Sequence, residues 1–467
     1  MDLALIGLGA MGRNLVANLI DKGWRVVGYD IEPRLVDTCR RKYHHDLHQF
    51  LPCTDLTQLT ATLQSPRIVM MMITAGPDVD QLLDQLLPQL HPDDVVLDGG
   101  NSHFGDTIRR QKKMAGQGIH YFGAGISGGI VGARHGPAIM VGGPATNTSL
   151  WPILTSLAAR YESTPCLIHA GPDGSGHFVK MVHNGIEYAD MQILSEAQCL
   201  LHSLVGLDYI EQADVFDQWN RGELSSFLTD ITGRILRRHD PLTGQPALEV
   251  IADEASQKGT GLWTAQEALN LEISVPNLTQ AVDARWLSCM RTERNYFFQH
   301  WPTHVAIAAG NNRDEMVTAL SEILLAARIT VFSQGFALLR KASIHFEWNL
   351  DLEAISRCWR GGCVLQGVLL ERIRCAWAVL PQSQHLLLDP ELGRKAADGF
   401  HRGRPFLAQA LAHGLPIPGL ITALSYWDTL RHQPLWTRMI AAQRDYFGAH
   451  GFQRIDTKGS DSWNWSC

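Results

Sequence analysis

The stretch His177–Gln192 reads HFVKMVHNGIEYADMQ, with Lys180, His183, Asn184 and Glu187 at positions i, i+3, i+4 and i+7. On a helix advancing about 100° per residue, all four fall within one arc of about 100°. Val182, Gly185, Ile186 and Ala189 take the opposite arc, where they suit packing. Such a row can run proton chemistry. A lysine taken out of water loses proton affinity, and its neutral amine becomes a base. A carboxyl one or two turns away can be held protonated as the acid, while Asn184 donates to a developing oxyanion. A solvated helix face would show the same spacing, so the reading depends on what the rest of the chain places beside the row.

What precedes the row is an alternation of short apolar runs and helical patterns. Leu3–Ile6, Val26–Tyr29, Ile68–Ile73 and Val95–Asp98 are strand candidates, with Arg13–Asp21 and Val79–Leu90 as helical stretches between them. Short, apolar, β-branched runs suit buried parallel strands, and their alternation with helices predicts a doubly wound sheet. Gly7-x-Gly9-x-x-Gly12 follows the first strand and opens the first helix. The first glycine permits the tight turn, the second lets a pyrophosphate approach the backbone, and the third allows close helix–strand packing. Free N–H groups at the helix start, around Ala10 and Met11, would then hold the phosphates. Asp30 ends the second strand and can accept both ribose hydroxyls of NAD, whereas the 2′-phosphate of NADP would meet like charge there. Arg34, four residues on, offers a cation that could swing in. Around Gly123–Gly143 the chain becomes glycine-rich, which suits either a ligand-facing backbone or tight turns.

Beyond about His177 the strand pattern gives way to long amphipathic segments, notably His177–Leu204 and Glu315–Ala342, and helix is expected to about Pro434. The expected architecture is therefore an α/β Rossmann-type N-terminal domain followed by a large all-α domain and a C-terminal tail. Their limits are read as 1–174, 175–433 and 434–467. The tail loses periodicity and ends in a polar, Trp-bearing stretch.

Composition narrows the function classes. With 467 residues, 45 % of them hydrophobic and 19 % charged, the chain is neither disordered nor a single small core. Forty Lys+Arg against 47 Asp+Glu give −7, so no global basic field gathers nucleic acid. Nine cysteines show no metal-type spacing and no secreted disulfide framework, and no metal site is expected. No basic stretch and cleavage site open the chain, and no apolar run reaches the roughly 18 residues of a membrane span. These features lead to the expectation of a cytoplasmic protein in a reducing compartment. Cys467 and the histidine-rich stretch 44–48 suggest only surface features.

Several motifs together resemble the long form of the 6-phosphogluconate dehydrogenase family across essentially the whole chain. They are DGGNS at Asp98–Ser102, SGG at Ser127–Gly129, HFVKMVHNGIEY at His177–Tyr188, QKGTG at 257–261, WRGGC at Trp359–Cys363 and RDYFGAH at Arg444–His450. The resemblance implies that Lys180 takes the proton from the C3 hydroxyl of 6-phosphogluconate while hydride passes to the nicotinamide. The 3-keto acid then loses CO₂, and Glu187 protonates the enediol to give ribulose 5-phosphate. By the same resemblance, Asn101, Ser127, Gly128, Gly129, His183 and Asn184 hold the sugar acid or frame the nicotinamide. Tyr188, Lys258, Thr260 and Arg285 match phosphate-side contacts, and Arg444 and His450 match a pair supplied by a partner subunit's tail, which implies a homodimer. A phosphomonoester offers close to two negative charges to Lys258, Arg285 and Arg444.

Three places in the chain depart from the family pattern. Members that use NADP commonly carry Asn-Arg-Thr where this chain has Asp30-Ile31-Glu32; alanine is usual where Gly9 stands; and a family lysine is matched by Thr74. All three changes lower positive charge or bulk near the adenosine half. NAD is therefore expected to be preferred, with NADP, the family default, as the alternative. Two weaker readings are a related β-hydroxyacid dehydrogenase, against which the cationic cluster speaks, and a catalytically silent coenzyme-binding scaffold, against which Lys180 and Glu187 speak.

Overall fold

The computed structural model describes residues 1–43, 48–145, 149–257, 259–302 and 312–465. Eight strands form the main sheet: β1 (Leu3–Ile6), β2 (Val26–Tyr29), β3 (Phe50–Pro52), β4 (Ile68–Met71), β5 (Val95–Asp98), β6 (His120–Ile126), β7 (Ile139–Gly142) and β8 (Leu167–Gly171). Their spatial order is β8-β7-β6-β5-β4-β1-β2-β3. β1, β4, β5 and β7 are buried at every residue, as strands covered on both faces must be. The pairings are parallel except β6 with β7, which run antiparallel. Strand order reverses between β1 and β4, so a crevice opens at their carboxyl ends, the usual ligand position of such sheets. The third apolar run stops at Met71 rather than Ile73.

Six helices build or border the site and the tail: α1 (Ala10–Asp21), α2 (Ser175–Ser203), α3 (Thr260–Asn270), α4 (Pro276–Cys289), α5 (Arg313–His345) and α6 (Thr437–Gly448). α2 spans 29 residues and packs along β6 and β7 at one end and along α3, α4 and α5 elsewhere. Phe178, Val182, Ile186, Ala189 and Ile193 sink its packing face into the largest core. The buried Asp190 and Arg328 join α2 to α5 through two N–O contacts of 2.9 Å. Two ions taken out of water need such close pairing to offset their desolvation, and one of the two contacts, Nη2 to Oδ2, is a hydrogen bond.

Two sequence expectations are corrected here. α5 is, by length and composition, apolar enough to cross a bilayer, but its apolar stretch is mostly buried within the protein, against α2 and the Pro390–Ala412 helix. The tail is not aperiodic throughout, because α6 occupies part of it, followed by a two-stranded hairpin of Phe452–Gln453 and Ser460–Asp461. α6 buries only Asp445 in this chain, so it carries no core-facing apolar stripe to signal a helix.

Candidate active site

α2 delivers its polar row to the sheet. The Lys180 amine donates to Asn184 Oδ1 at 2.6 Å and to Ser127 Oγ at 3.3 Å. His183 stands between them, with Nε2 3.4 Å from Ser127 Oγ and Nδ1 3.2 Å from Asn184 Oδ1. Glu187 Oε2 lies 3.8 Å from His183 Nδ1, one turn further on. Asn184 spends one N–H on Thr260 Oγ1 at 3.0 Å, at the start of α3, and its amide carries a second N–H able to donate. The Arg285 guanidinium of α4 lies 3.5 Å over the ring of Tyr188. Three helices and the loop after β6 thus converge on one row.

Burial sets the protonation states. Lys180 is 8 % exposed, and desolvation pulls its pKa below the ordinary lysine value against the pull of Glu187. Desolvation pushes Glu187 above the usual carboxylate range, opposed by Lys180 and Arg285. His183, fully buried and beside Lys180, is held well below its ordinary value and stays neutral. A base that sheds its proton more easily and an acid that keeps it longer now share one helix face.

Asn101 lies exposed in the loop after β5, and the buried Asp98 holds that loop by accepting from Gly100 N at 3.0 Å, Ser102 Oγ at 2.6 Å and Tyr121 Oη at 3.0 Å. Gly128 lies against the Gly362 carbonyl, and Gly129 is exposed with open space around it. At the crevice, a cavity of about 410 Å³ is lined by Gly7, Gly9, Asp30, Ile31, Thr74 and Asp78, among others. Gly7 has φ +97°, and a Cβ there would sit 2.5 Å from the Met72 carbonyl. Gly12 is pressed against the Gly7 carbonyl, and Gly9 has open space where a Cβ would be. No described side chain caps α1, so its first-turn N–H groups, those of Ala10 and Met11 among them, are uncapped. These features fit a dinucleotide.

Family models for the NAD binding domain and the C-terminal domain of 6-phosphogluconate dehydrogenase match residues 2–171 and 176–465. The chain belongs to the 6-phosphogluconate dehydrogenase family. The decarboxylating 6-phosphogluconate dehydrogenase of Cunninghamella elegans is 40 % identical over 98 % of this chain and 94 % of its own. Two Bacillus subtilis (strain 168) relatives are named for opposite coenzymes. The NADP(+)-dependent one is 38 % identical over 99 % of both chains; the NAD(+)-dependent one is 39 % identical over 100 % of this chain and 99 % of its own. The Plasmodium falciparum 6-phosphogluconate dehydrogenase, solved apo, with its cofactor NADP+ and with its substrate 6-phosphogluconate, matches with a TM-score of 0.96 at 33 % identity over 100 % of both chains. As a member of this 6-phosphogluconate dehydrogenase family, the chain is an NAD(P)-dependent oxidoreductase.

Not all of the matched residues gather at the row on α2. Arg444 and His450 are exposed in the tail, and neither side chain makes a hydrogen bond or ion pair with a described residue. Lys258 lies outside the described residues, as do Cys467 and residues 44–47. Three residues near the row were missed as contributors. Trp359 sets its ring edge-on to His183 at 5.3 Å between centroids; Cys363 lies near Lys180, its thiol pushed up to about 12 by burial; Gly125 faces the Lys180 stem. WRGGC flagged the first two by type, but nothing local to it points to α2.

Proposed function

We propose that this protein converts 6-phospho-D-gluconate to D-ribulose 5-phosphate and CO₂, with NAD preferred over NADP. The carrying observation is the shared face of α2, on which a depressed lysine and a raised glutamate sit beside Ser127, His183 and Asn184. In this reading Lys180 takes the C3 hydroxyl proton, and Ser127 and His183 orient that oxygen. The bound coenzyme supplies the hydride acceptor. The C3 carbonyl then takes the electron pair released as the C1–C2 bond to CO₂ breaks. Lys180, now protonated, returns its proton to the C3 oxygen to complete the enediol. Glu187 protonates the carbon that lost CO₂ while the neutral Lys180 amine takes the enol proton back from the C3 oxygen, giving the ketose. Asn101, Gly128 and Gly129 frame the sugar acid, and Tyr188, Lys258, Thr260 and Arg285 hold the phosphate end.

NAD preference is supported by the crevice. Asp30 Oδ2 accepts from Leu8 N at 2.6 Å and Oδ1 from Glu32 N at 2.8 Å, which holds a carboxylate at the end of β2, where this reading puts the ribose. Asp78 adds a second carboxylate, and Ile31 and Thr74 add no charge. Arg34, the cation that could have met a 2′-phosphate, pairs with Glu32 at 2.8 Å. Comparing kcat/KM for the two coenzymes at equal ionic strength tests this; a tenfold preference for NADP overturns it. Measuring CO₂ release from 6-phosphogluconate tests the reaction itself.

The tail supports a homodimer. Trp436, Met439, Phe447 and Ile455 are exposed apolar residues there, and a second copy's site would take Arg444 and His450. Sheet, helices and tail serve as three units in this reading, at 1–174, 175–433 and 434–467. A sugar phosphate and a nicotinamide pool support a cytoplasmic setting.

A further inference from the structure

The RDYFGAH motif contains a residue with no assigned role. Asp445 is 2 % exposed, although the residues on both sides of it are exposed. Its carboxylate accepts four hydrogen bonds, from Gly451 N at 2.9 Å, Ser462 Oγ at 2.7 Å, Trp463 N at 3.0 Å and Trp465 Nε1 at 2.8 Å. Its carbonyl accepts from Ala449 N at 2.8 Å. One side chain thus ties α6 to the turn after it and to the returning C-terminal strand. The two paired strands are only two residues long each, too short to hold the tail folded alone. Four donors also favour the ionised form, and the carboxyl is held down at about 2.

We propose that Asp445 is a positioning residue that presents Arg444 and His450 as a preset pair for the partner subunit's site. Arg444 directly precedes it in α6, and His450 directly precedes Gly451, whose N–H it holds. Ala449 just before His450 turns at φ +47° and Gly451 just after it at φ +75°, so the chain bends sharply on both sides of His450. Ordering the pair before docking removes a cost that binding would otherwise bear. This inference rests on the reading that the tail completes the partner's phosphate site. All of the carboxylate's bonds lie within residues 445–465, so its substitution leaves the coenzyme crevice and α2 untouched.

Asp445→Asn keeps the size but turns an amide N–H toward donors. Steady-state kinetics with 6-phosphogluconate at saturating NAD should show KM raised tenfold or more. KM for NAD should stay within twofold, and sedimentation should still show a dimer. Asp445→Glu should recover part of the loss. An unchanged KM for 6-phosphogluconate overturns the inference. So does a variant that becomes monomeric, since the tail would then join the subunits rather than orient the pair. Arg444→Ala separates the two layers: if it leaves KM for 6-phosphogluconate within twofold, the reading of the tail itself fails. If Arg444→Ala raises that KM and Asp445→Asn does not, only the positioning role fails.

Discussion

Gly125→Ala places a single methyl group where β6 meets α2. Its Cβ would stand 2.2 Å from Lys180 Cβ, 2.9 Å from Lys180 Cγ and 3.1 Å from the Gly176 carbonyl, where ordinary contact begins at 3.4 Å. The shortfall at Lys180 Cβ is about 1.2 Å. Neither side can yield cheaply. Gly176 already touches Gly142 and Gly123 backbone, and Gly123 is pressed on His177. The relief must come from α2 or from the Lys180 stem, whose amine is held at 2.6 Å by Asn184 and at 3.3 Å by Ser127. Reacting groups need placement within about 0.5 Å, and a displacement of about 1 Å costs on the order of 100-fold in rate. That is about 2.7 kcal/mol in the barrier. Overpacking adds about 1–3 kcal/mol of destabilisation. The assay is kcat with 6-phosphogluconate and NAD, with NADH affinity by fluorescence titration and stability by urea unfolding. A fall in kcat of about 100-fold is expected, with NADH affinity within about twofold because the α1 crevice is built from other residues. A variant whose kcat stays within threefold of the parent refutes the claim that this glycine seats the lysine.

Other perturbations reach other parts of the machinery. Lys180→Arg replaces the depressed amine with a group that does not titrate, and kcat should fall by about 10²–10⁴-fold; near-parental turnover would reassign the base. The pH profile of kcat/KM should be bell-shaped, rising as Lys180 loses its proton and falling as Glu187 loses its own. In Glu187→Gln the alkaline fall should vanish, and its persistence would remove Glu187 as the acid. Buried Glu196 accepts from Gly419 N at 2.7 Å and Leu420 N at 2.8 Å, and burial pushes it up to about 7 from 4.5. Between those values the folded chain holds the proton more than the unfolded chain does, so stability falls as pH rises, by about 3 kcal/mol from this group. Urea unfolding at several pH values should show a flatter slope in Glu196→Gln, and identical slopes would refute it. Ile31→Arg combined with Asp30→Asn should shift kcat/KM toward NADP by about tenfold to a hundredfold, one charge-assisted bond's worth. An unmoved ratio would show that the adenosine end does not choose the coenzyme.

The parts of this fold that were legible are those decided by local period. Buried runs gave β1, β2 and β5 their limits, and the 100° step put Lys180, His183, Asn184 and Glu187 on one face before any neighbour was known. What stayed hidden depends on long-range pairing. Gly123, Gly125 and Gly142 read as ligand-facing or as turns, yet their missing side chains let α2 lie against the sheet. No spacing rule within residues 123–143 names the helix that will cover them. α6 escaped for the opposite reason. Its Met439, Ile440 and Phe447 face away from this chain's core, so their period reports a surface rather than a fold. Asp30 shows how a legible residue can hold a second, illegible role. Its type at the end of β2 spoke for a ribose contact, but only the 2.6 Å bond from Leu8 N shows that the same carboxylate fastens the glycine loop over which the phosphates must lie. If Asp30 also meets the ribose, as proposed, coenzyme choice and loop geometry are coupled through one side chain. An asparagine there could still accept from Leu8 N with its carbonyl while its amide, a donor, faced Glu32 N, so exchanging the coenzyme also changes how the loop is held.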